Sequence, residues 1–286
     1  MDSFPTDAWL RAAACVDLRA PEAYAALRPA GAVRLEVDDL LHRPYLLPAR
    51  SRPLVLIGGR GDDLRVVVEA LHAAGHAEVR HLPGETWRRH FPAEAGAPTR
   101  MHLWEPSRAL VEALEAHALL GEDPGVAPRA SATRPLALDL ACGSGRNAVY
   151  LALHGFDVTA IDILPDALEK TQDLARRSGA RLRVLPMDLE FPGALDDLEA
   201  DLVVVVRYLE RPLFGPIARA LRPGGLLVYE TFTADQAALG HPRNPRFLLQ
   251  PGELRDAFPA LRTLAYQEGF FDGAHLARLV ARREKG

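Results

Sequence analysis

The sequence predicts an α/β fold that is divided into two domains. Apolar runs of strand length alternate along the chain with amphipathic stretches of helical spacing, which is typical of a mostly parallel sheet covered by helices. The chain has 286 residues, about twice the ~150 residues of an average domain. Small and turn-forming residues interrupt the alternation at 92–98, and we interpret them as an interdomain linker. The first domain is therefore predicted at 1–97 and the second at 98–286.

Four elements are predicted in the first domain from the spacing of its apolar residues. Apolar residues at helical spacing between Leu64 and Leu71 indicate a helix, and Gly75 follows where a C-terminal cap is expected. The predicted elements are a strand at 15–19, a strand at 53–57, a helix at 62–74 and a strand at 79–82.

The second domain shows a longer and more regular alternation. It opens with an amphipathic helix at 106–120, and a loop rich in Pro, Gly, Ala and Ser follows at 121–135. Strands and helices then alternate, with no internal repeat. The strands are predicted at 136–140, 157–162, 181–186, 200–207, 225–230, 262–268 and 275–283, and the helices at 147–154, 165–178, 213–221 and 251–258.

Composition and charge exclude several classes of protein. With 48% hydrophobic and 25% charged residues, the chain is far from the composition of disordered proteins. A net charge of −4 without basic blocks gives no electrostatic footprint for nucleic acid. The apolar runs are much shorter than the ~20 residues of a membrane helix, and the start MDSFPTDAWL is acidic where a secretory signal is cationic. With only two cysteines, Cys15 and Cys142, the sequence predicts a soluble, cytoplasmic protein without disulfides.

The strongest candidate site begins at a glycine-rich turn. Residues 138–147 read LDLACGSGRN, which predicts a strand, then the turn from Gly143 to Gly145, then a helix. Glycines at a helix N-terminus let backbone N–H groups approach a ligand closely. Asp162 ends the next strand, 19 residues after Gly143, where a carboxylate can accept hydrogen bonds from ribose hydroxyls. The turn also satisfies the dinucleotide fingerprint G-x-G-x-x-G/A, so the turn and Asp162 fit either a dinucleotide or S-adenosylmethionine.

Two further carboxylates favour S-adenosylmethionine. Asp139 precedes the turn within its strand, where it would organise the loop and approach a cationic amino group but would repel a pyrophosphate. Asp188 ends the third strand, where it suits the exocyclic amine of adenine. The whole set resembles the class I S-adenosylmethionine-dependent methyltransferases, and 138–151 with 155–162 resembles the branch related to tellurite-resistance methyltransferases.

The resemblance covers roughly 101–283 and implies a seven-stranded, Rossmann-like sheet whose final strand is antiparallel. The stretch LRPGGLLVYE at 221–230 is similar to that family's turn into the fifth strand. The resemblance implies a loop at 141–145 under the methionine moiety, a ribose ligand at Asp162 and an adenine pocket at 187–189. Because the leaving group of a sulfonium is already activated, we expect no metal. The cofactor-binding residues carried over are Asp139, Ala141, Cys142, Gly143, Ser144, Gly145, Asn147, Asp162, Ile163, Met187, Asp188, Leu189 and Val206.

Residues on the substrate side are expected after the fourth and fifth strands, although the sequence assigns no catalytic residue. Methyl transfer from a sulfonium requires mainly alignment of the nucleophile, and a general base is needed only where the acceptor carries a proton. The Asp/Asn-Pro-Pro-aromatic motif of amino-group DNA methyltransferases is absent at 206–209, which argues against base methylation. The candidates are Arg207, Tyr208, Tyr229, Glu230 and His241, with Arg243 and Phe247 in the same loop as His241.

Two other patterns are interpreted as structural. Cys142 has no base near it in the sequence, so we interpret it as a small packing residue and not as a nucleophile. His72 and His76 are four residues apart, as in some metal sites, but Gly75 interrupts the helix between them and argues against a metal.

The first half resembles rhodanese-like domains. The similarity rests on four short segments in the family's order, VDLR at 16–19, PEAY at 21–24, RPAGA at 28–32 and LPG at 82–84, and it covers nearly all of residues 10–90. The resemblance implies a catalytic cysteine after the strand at 54–57, but Gly58 stands there and Gly59-Arg60-Gly61 follow. Because Cys15 lies at the start of the first strand, we do not expect it to substitute, and sulfur transfer through a persulfide is excluded. The segment 58–61 could still bind an anion, but a scaffold used for packing or partner contact is favoured.

The sequence therefore predicts an S-adenosylmethionine-dependent methyltransferase that is fused to a catalytically silent rhodanese-like domain. The predicted acceptor is a small molecule such as a thiol or a chalcogen oxyanion, and neither a membrane nor a nucleic acid is expected as a partner. Self-association or a protein partner through the rhodanese-like domain stays open. The alternatives are a regulatory protein that binds S-adenosylmethionine without turnover and, less favoured, an NAD-dependent oxidoreductase.

Overall fold

A computed structural model describes residues 7–58, 61–117 and 134–285 of the chain. The chain divides into two compact units, Met1–Glu105 and Pro106–Gly286. This division lies after the linker that the sequence indicates at 92–98. The loop expected at 121–135 falls almost entirely outside the described residues.

The first unit is built on a small parallel sheet. Its helices are α1 (Asp7–Ala12), α2 (Pro21–Ala26), α3 (Val37–His42) and α4 (Gly61–Ala73). Its strands are β1 (Ala14–Asp17), β2 (Arg28–Pro29), β3 (Val33–Arg34), β4 (Leu54–Ile57), β5 (Val79–Leu82) and β6 (Ala93–Glu94). Four parallel strands have the order β3-β1-β4-β5, and β2 pairs with β6 in a separate antiparallel ribbon. Strands β1 and β4 are buried along their whole length, as expected for the centre of a parallel sheet.

The second unit contains the longer alternation of strands and helices. Its helices are α5 (Arg108–Ala116), α6 (Arg146–Leu153), α7 (Pro165–Ser178), α8 (Phe214–Ala220), α9 (Gln236–Leu239) and α10 (Glu253–Asp256). Its strands are β7 (Leu136–Leu140), β8 (Asp157–Asp162), β9 (Arg183–Pro186), β10 (Ala200–Val206), β11 (Leu221–Phe232), β12 (Arg262–Phe271) and β13 (Ala274–Arg282).

The strands of the second unit form one mixed sheet of seven, in the order β12-β13-β11-β10-β7-β8-β9. The five strands from β11 to β9 are parallel, and β13 is antiparallel to both β11 and β12. The expectation of seven strands with an antiparallel final strand is therefore confirmed. The strand order reverses beside β7, and open α/β sheets bind their ligands outside the carboxyl ends of the strands at such a reversal.

The core of the second unit lies on both faces of this sheet. Leu227 and Tyr229 of β11 pack into one buried cluster, whereas Leu226 and Val228 pack into the other. The run of apolar residues in β10 is buried for the same reason, because helices cover both faces. The central strands thus form a rigid base for the loops at their carboxyl ends.

Several element boundaries differ from the sequence predictions. The helix expected at 251–258 is reduced to Glu253–Asp256, because Gly252 adopts a left-handed conformation with φ of 76° and the helix cannot begin before it. Strand β11 begins at Leu221 and not at 225, and β10 ends at Val206 because Arg207 has a φ of 58°. Helix α5 begins at Arg108, and 118–120 of its expected length lie outside the described residues. Over the described ranges, every helix is too short or too polar to cross a bilayer.

Candidate functional site

The glycine-rich turn connects β7 to α6 through backbone of left-handed conformation. Ala141, Gly143 and Gly145 have φ angles of 54°, 55° and 77°. A Cβ at Gly145 would lie 2.5 Å from Cγ2 of Thr171, and the Thr171 hydroxyl donates a hydrogen bond to the Gly143 carbonyl over 3.1 Å. A Cβ built at Gly143, in contrast, meets none of the described atoms within 4 Å. The turn is thus closed by Thr171 on one side and open to a ligand at Gly143.

Asp162 joins the end of β8 to this turn. One carboxylate oxygen, Oδ2, accepts the N–H of Gly143 over 2.9 Å, and Oδ1 accepts the N–H of Leu164 over 3.0 Å. The residue is only 8% exposed. Each carboxylate oxygen retains a second acceptor position. Asp162 can therefore accept hydrogen bonds from a pair of neighbouring hydroxyls while it fixes the turn.

Asp139 is buried beneath the same turn. Its Oδ2 accepts the N–H of Ala148, in the first turn of α6, over 3.0 Å. Burial, together with the nearby charge of Asp162, raises the pKa of Asp139 to about 7, although the hydrogen bond from the Ala148 N–H opposes this rise. Asp139 thus positions the start of α6, as the sequence predicts for its role in the loop. Its approach to a cationic amino group stays a prediction.

Cys142 packs into the turn as a small apolar side chain. Its N–H donates to the carbonyl of Ile161 over 2.9 Å, and its Sγ lies 3.6 Å from the Thr171 hydroxyl. Burial, followed by the negative charge of Asp139, raises the pKa of the thiol to about 12. A thiol with such a pKa is protonated at neutral pH and is a poor nucleophile.

The predicted adenine side of the site lies beyond Asp162. Ile163 and Leu164 follow it directly and are 57% and 60% exposed, although both are apolar. At the end of β9, Asp188 is exposed and its Oδ1 accepts the N–H of Glu190 over 2.9 Å. Leu189 beside it is buried, and Met187 donates its N–H to the carbonyl of Asp162 over 3.0 Å. These contacts hold the ends of β8 and β9 together next to exposed apolar side chains.

This set of groups fits S-adenosylmethionine. Asp162 supplies acceptors for ribose hydroxyls, the open backbone at Gly143 admits close approach, and the exposed Ile163 offers an apolar surface for a flat base. Val206 is partly buried at the end of β10, and Ser144 and Asn147 are partly buried in and after the turn. These residues lie at the carboxyl ends of the strands, in the turn that follows β7 or in the first turn of α6.

Two candidate substrate residues follow β10 directly. Arg207 is exposed, and its backbone has a left-handed conformation. Its N–H donates a hydrogen bond to the carbonyl of Glu230 over 2.7 Å. Its guanidinium carbon lies 5.7 Å from the ring centroid of Phe232. Non-glycine residues rarely adopt this backbone conformation outside functional sites and turns. Tyr208 is half-buried, and burial followed by the charges of Glu190 and Glu210 raises its pKa to about 12.

Tyr229 lies within the core below these residues. It is 1% exposed, and its hydroxyl donates to the carbonyl of Tyr208 over 3.1 Å. Burial raises the pKa of this phenol. Tyr229 therefore supports the backbone of Tyr208 from below.

Glu230 belongs to a buried polar network that the sequence does not reveal. It is 3% exposed and forms an ion pair with Nε of Arg278 at 2.6 Å. It also accepts a hydrogen bond from the hydroxyl of Ser107 over 3.3 Å, while Asn147 accepts the N–H of Ser107 over 2.8 Å. Ser107 immediately precedes α5, so this network joins the start of α5 to the start of α6 and to β11.

The sequence does not indicate three residues that hold the candidate site together, namely Ser107, Thr171 and Arg278. A serine directly before an amphipathic stretch is a signal for a helix start, and it would have identified Ser107. Thr171 and Arg278 lie within regular elements and have no comparable signal, because their contacts join residues far apart in the chain.

The remaining candidate substrate residues lie in the loop after β11. The carbonyl of His241 accepts a hydrogen bond from Nε2 of Gln236 over 3.0 Å, and the His241 residue is exposed. Arg243 and Phe247 are also exposed. The described contacts of His241 are thus made by its backbone. Across the described parts of the chain, no cluster of three His, Cys, Asp or Glu residues could hold a metal ion.

The first unit presents a different arrangement at the carboxyl end of β4. A Cβ at Gly58, whose φ is 75°, would lie 2.5 Å from Cγ of Arg19. Arg19 is held there by an ion pair of 2.7 Å with Asp17, which is fully buried. Its guanidinium carbon also lies 5.3 Å from the ring centroid of Trp87. The predicted anion-binding segment continues into residues 59–60, which lie outside the described residues.

Known proteins similar to this chain include a family whose matched segment lies within the second unit. Residues 137–225 match the family described as "Methyltransferase domain". Among curated proteins, Hemagglutinin 1 of Eikenella corrodens is 31% identical over 46% of this chain and 45% of its own length. Ribosomal protein L11 methyltransferase of Marinobacter nauticus is 39% identical over 35% of this chain and 34% of its own length. The chain thus spans less than half the length of the first curated relatives that it matches.

Among solved structures, the chain is similar to TehB from Haemophilus influenzae, with 18% identity, a TM-score of 0.48 and coverage of 63% of each chain. The matched family covers the segment that runs from β7 through the glycine turn, Asp162 and Asp188 to the start of β11. This segment contains the groups that fit S-adenosylmethionine. The second unit of the chain is therefore similar to methyltransferase domains over residues 137–225, the segment that holds the glycine-rich turn.

Proposed function

We propose that the protein transfers a methyl group from S-adenosylmethionine to a small-molecule acceptor. The observation that carries the proposal is the hydrogen bond from the Gly143 N–H to Asp162, which places the open turn and the ribose-type acceptor side by side. The cofactor would supply a methyl group on a sulfonium, whose leaving group is already activated. The chain then has to bind, orient and exclude water.

In this proposal each group has a separate task. Asp162 binds the ribose hydroxyls, 141–145 contact the methionine moiety, and Met187, Asp188 and Leu189 surround the adenine. Asp139 fixes the turn and faces the amino group. Ile163, Ser144, Asn147 and Val206 complete the walls of the cofactor site.

On the acceptor side, we assign contact with the substrate to Arg207 and Tyr208. Both follow β10 directly, and the guanidinium of Arg207 is exposed at the carboxyl end of the sheet. Glu230 is held by Arg278 and Ser107, so we assign it a positioning role for the start of α5. An exposed guanidinium favours an acceptor that carries negative charge, such as a thiolate or a chalcogen oxyanion.

Turnover against a panel of acceptors tests this function. The panel contains small thiols, selenite, tellurite and phenols, and formation of S-adenosylhomocysteine is measured together with the methylated product. We expect methylation of at least one thiol or oxyanion and loss of that turnover in Arg207→Ala. Binding of S-adenosylmethionine without any turnover would support the alternative of a sensor that does not catalyse methyl transfer.

For the first unit we propose a rhodanese-like domain that carries out no sulfur transfer. The parallel order β3-β1-β4-β5 and the packing of Arg19 against Gly58 support it. Cys15 is 4% exposed, and burial raises its pKa, so it is a poor candidate for a replacement nucleophile. Thiosulfate and cyanide should give no thiocyanate above the rate without protein, and measurable turnover would contradict the proposal.

The partners and compartment follow from the same reasoning. We propose that the protein binds neither nucleic acid nor membrane, because its net charge is −4 and it has no basic block. Cys15 and Cys142 are both buried free thiols, which supports a cytoplasmic location. Self-association or a protein partner is proposed for the rhodanese-like unit, and sedimentation of the purified protein would distinguish the two.

A further inference from the structure

A cavity of about 490 Å³ opens in the first unit, away from the carboxyl ends of its strands. Cys15 near the start of β1 and Arg52 just before β4 line it. Strands β1 and β4 are parallel, with Ala14 opposite Leu54, so both residues mark the amino edge of the sheet. Gly58 and Arg19 lie at the opposite edge. The cavity is therefore separate from the position where sulfur chemistry would occur in a rhodanese-like domain.

The walls of this cavity are held in place by several contacts. Nε of Arg52 donates to the carbonyl of Ala12 over 3.2 Å, which fixes the end of α1 against the start of β4. The N–H of Ala30 donates to the carbonyl of Pro92 over 2.8 Å. The neighbouring Arg28 is 1% exposed and pairs with Glu94 at 2.9 Å, so the β2–β6 ribbon that forms the rim is anchored in the core. The cavity is thus preformed.

The lining has an excess of positive charge. Arg11, Arg52 and Arg100 contribute three guanidinium groups, and none of the described lining residues is acidic. Arg52 and Arg100 share one carboxylate, that of Glu105, which lies 3.4 Å from Arg100 and pairs with Arg52. Arg11 is exposed, and no ion pair joins it to any of the described carboxylates. The three guanidinium groups and the Glu105 carboxylate together therefore carry a net charge of +2.

This excess of positive charge affects the pKa of Arg100. Burial, followed by the positive charge of Arg52, lowers the pKa of Arg100 despite the nearby Glu105. A bound anion would relieve this repulsion. The remaining walls are mostly apolar, and a guanidinium group recognises the planar or tetrahedral oxygens of carboxylates and phosphates. The apolar lining residues are Leu10, Ala13, Cys15, Ala30, Phe91 and Pro92.

We propose that this cavity binds a small organic anion, with its carboxylate or phosphate group at Arg11, Arg52 and Arg100 and its apolar body against Leu10 and Phe91. The volume lies within the range of small-molecule sites, about 300–1,000 Å³. The first unit is then a ligand-binding domain whose site is independent of methyl transfer. Neither the resemblance of this unit nor the activity proposed for the second unit requires this site.

Titration calorimetry on the full chain tests the proposal with four probes. Phenyl phosphate and 3-phenylpropanoate carry both the charge and the apolar body, benzyl alcohol lacks the charge, and inorganic phosphate lacks the apolar body. We expect saturable binding of at least one aromatic anion, at least about tenfold tighter than either control, and weaker binding at high salt. Equal binding of benzyl alcohol, or no saturable binding of either aromatic anion, would overturn the proposal.

Substitutions assign the binding to this cavity. Arg11→Gln removes an exposed charge at the end of α1, and we expect it to weaken the anion about fivefold or more without changing the thermal unfolding midpoint. Arg100→Gln should also weaken binding. Arg65→Gln is the matched control, because Arg65 is an exposed arginine of α4 that does not line the cavity. Anion binding that is unchanged in Arg11→Gln and Arg100→Gln would contradict the assignment.

Discussion

The carboxylate of Asp162 accepts the backbone N–H of Gly143 over 2.9 Å, so the end of β8 is hydrogen-bonded to the turn that follows β7. This bond joins two motifs that are 19 residues apart in the chain. The shape of the turn also depends on Gly145, which Thr171 contacts closely. Asp139 links β7 to α6 by accepting the N–H of Ala148.

Gly145→Ala should destabilise the second unit and weaken cofactor binding. Its new Cβ would lie 2.5 Å from Thr171, at a φ of 77° that already disfavours alanine. We expect a loss of about 2–5 kcal/mol, from backbone strain plus overpacking, in urea unfolding. Gly179→Ala is the matched control, because its φ is 68° and none of the described atoms lies within 4 Å of its Cβ. Equal losses in the two variants would show that contact with Thr171 is unimportant.

Asp139→Asn should change how stability depends on pH. The pKa of Asp139 is raised to about 7 in the folded chain, whereas an unfolded aspartate has a pKa of about 3.9. Between these values the folded state binds more protons, so the contribution of this group to the free energy of unfolding falls as pH rises from about 4 to about 7. Asparagine carries no charge at any of these pH values.

We therefore compare the free energies of unfolding of Asp139→Asn and the wild type. The value for Asp139→Asn minus the value for the wild type should rise by about 3 kcal/mol between about pH 5 and pH 8. Urea titrations of both proteins across this range measure it. The control is Asp157→Asn, which removes an exposed carboxylate at the start of β8, outside the glycine-rich turn. A difference for Asp139→Asn that is constant with pH would contradict the assignment.

Both cysteines should react slowly with an aromatic disulfide reagent in the native protein. Burial raises the pKa of Cys15 and raises that of Cys142 to about 12, so little thiolate is present at about pH 8. After denaturation both thiols should react rapidly.

Cys142→Ala should retain methyl transfer, since Cys142 acts as a packing residue. Loss of turnover in that variant with unchanged cofactor affinity would indicate a chemical role for the thiol.

Gly58→Cys should not create a sulfurtransferase. The Cβ of the new side chain would lie 2.5 Å from Cγ of Arg19, which Asp17 holds in place, and the φ of 75° adds strain. We expect a lower thermal unfolding midpoint and no thiocyanate formation. Gly84→Cys is the control, because its φ is 54° and its Cβ meets none of the described atoms within 4 Å. Sulfur transfer by Gly58→Cys would show that Arg19 does not obstruct the position.

The regular part of the fold was predictable from the sequence. The bounds predicted for β7, β8 and α7 agree with the structure, because each apolar run is bounded by clear glycine, proline or charged residues. The short elements β2, β3 and β6 were missed, since two residues carry no periodicity. The start of β11 was missed because Pro223 and two glycines look like a turn, whereas Leu221 before them already pairs with Ala200 of β10 and the register shifts before Leu226.

The candidate site was predictable only where a motif is local. The turn from Gly143 to Gly145 and Asp162 have a characteristic spacing, so the sequence indicated both. The bond from Ser107 to Glu230 joins residues 123 positions apart, and no spacing rule applies to it. The charged cavity of the first unit was missed for the same reason, because Arg11, Arg52 and Arg100 meet only when α1 and β4 come together.

The most direct test of the account is calorimetric titration of the full chain with S-adenosylmethionine, S-adenosylhomocysteine and NAD. We predict saturable binding of the first two, no binding of NAD, and at least about tenfold weaker binding in Asp162→Ala, because this variant would lose the contacts that we propose with two ribose hydroxyls. Asp157→Ala, at the other end of β8, should bind normally. Saturable NAD binding without any response to S-adenosylmethionine, or unchanged affinity in Asp162→Ala, would contradict the account.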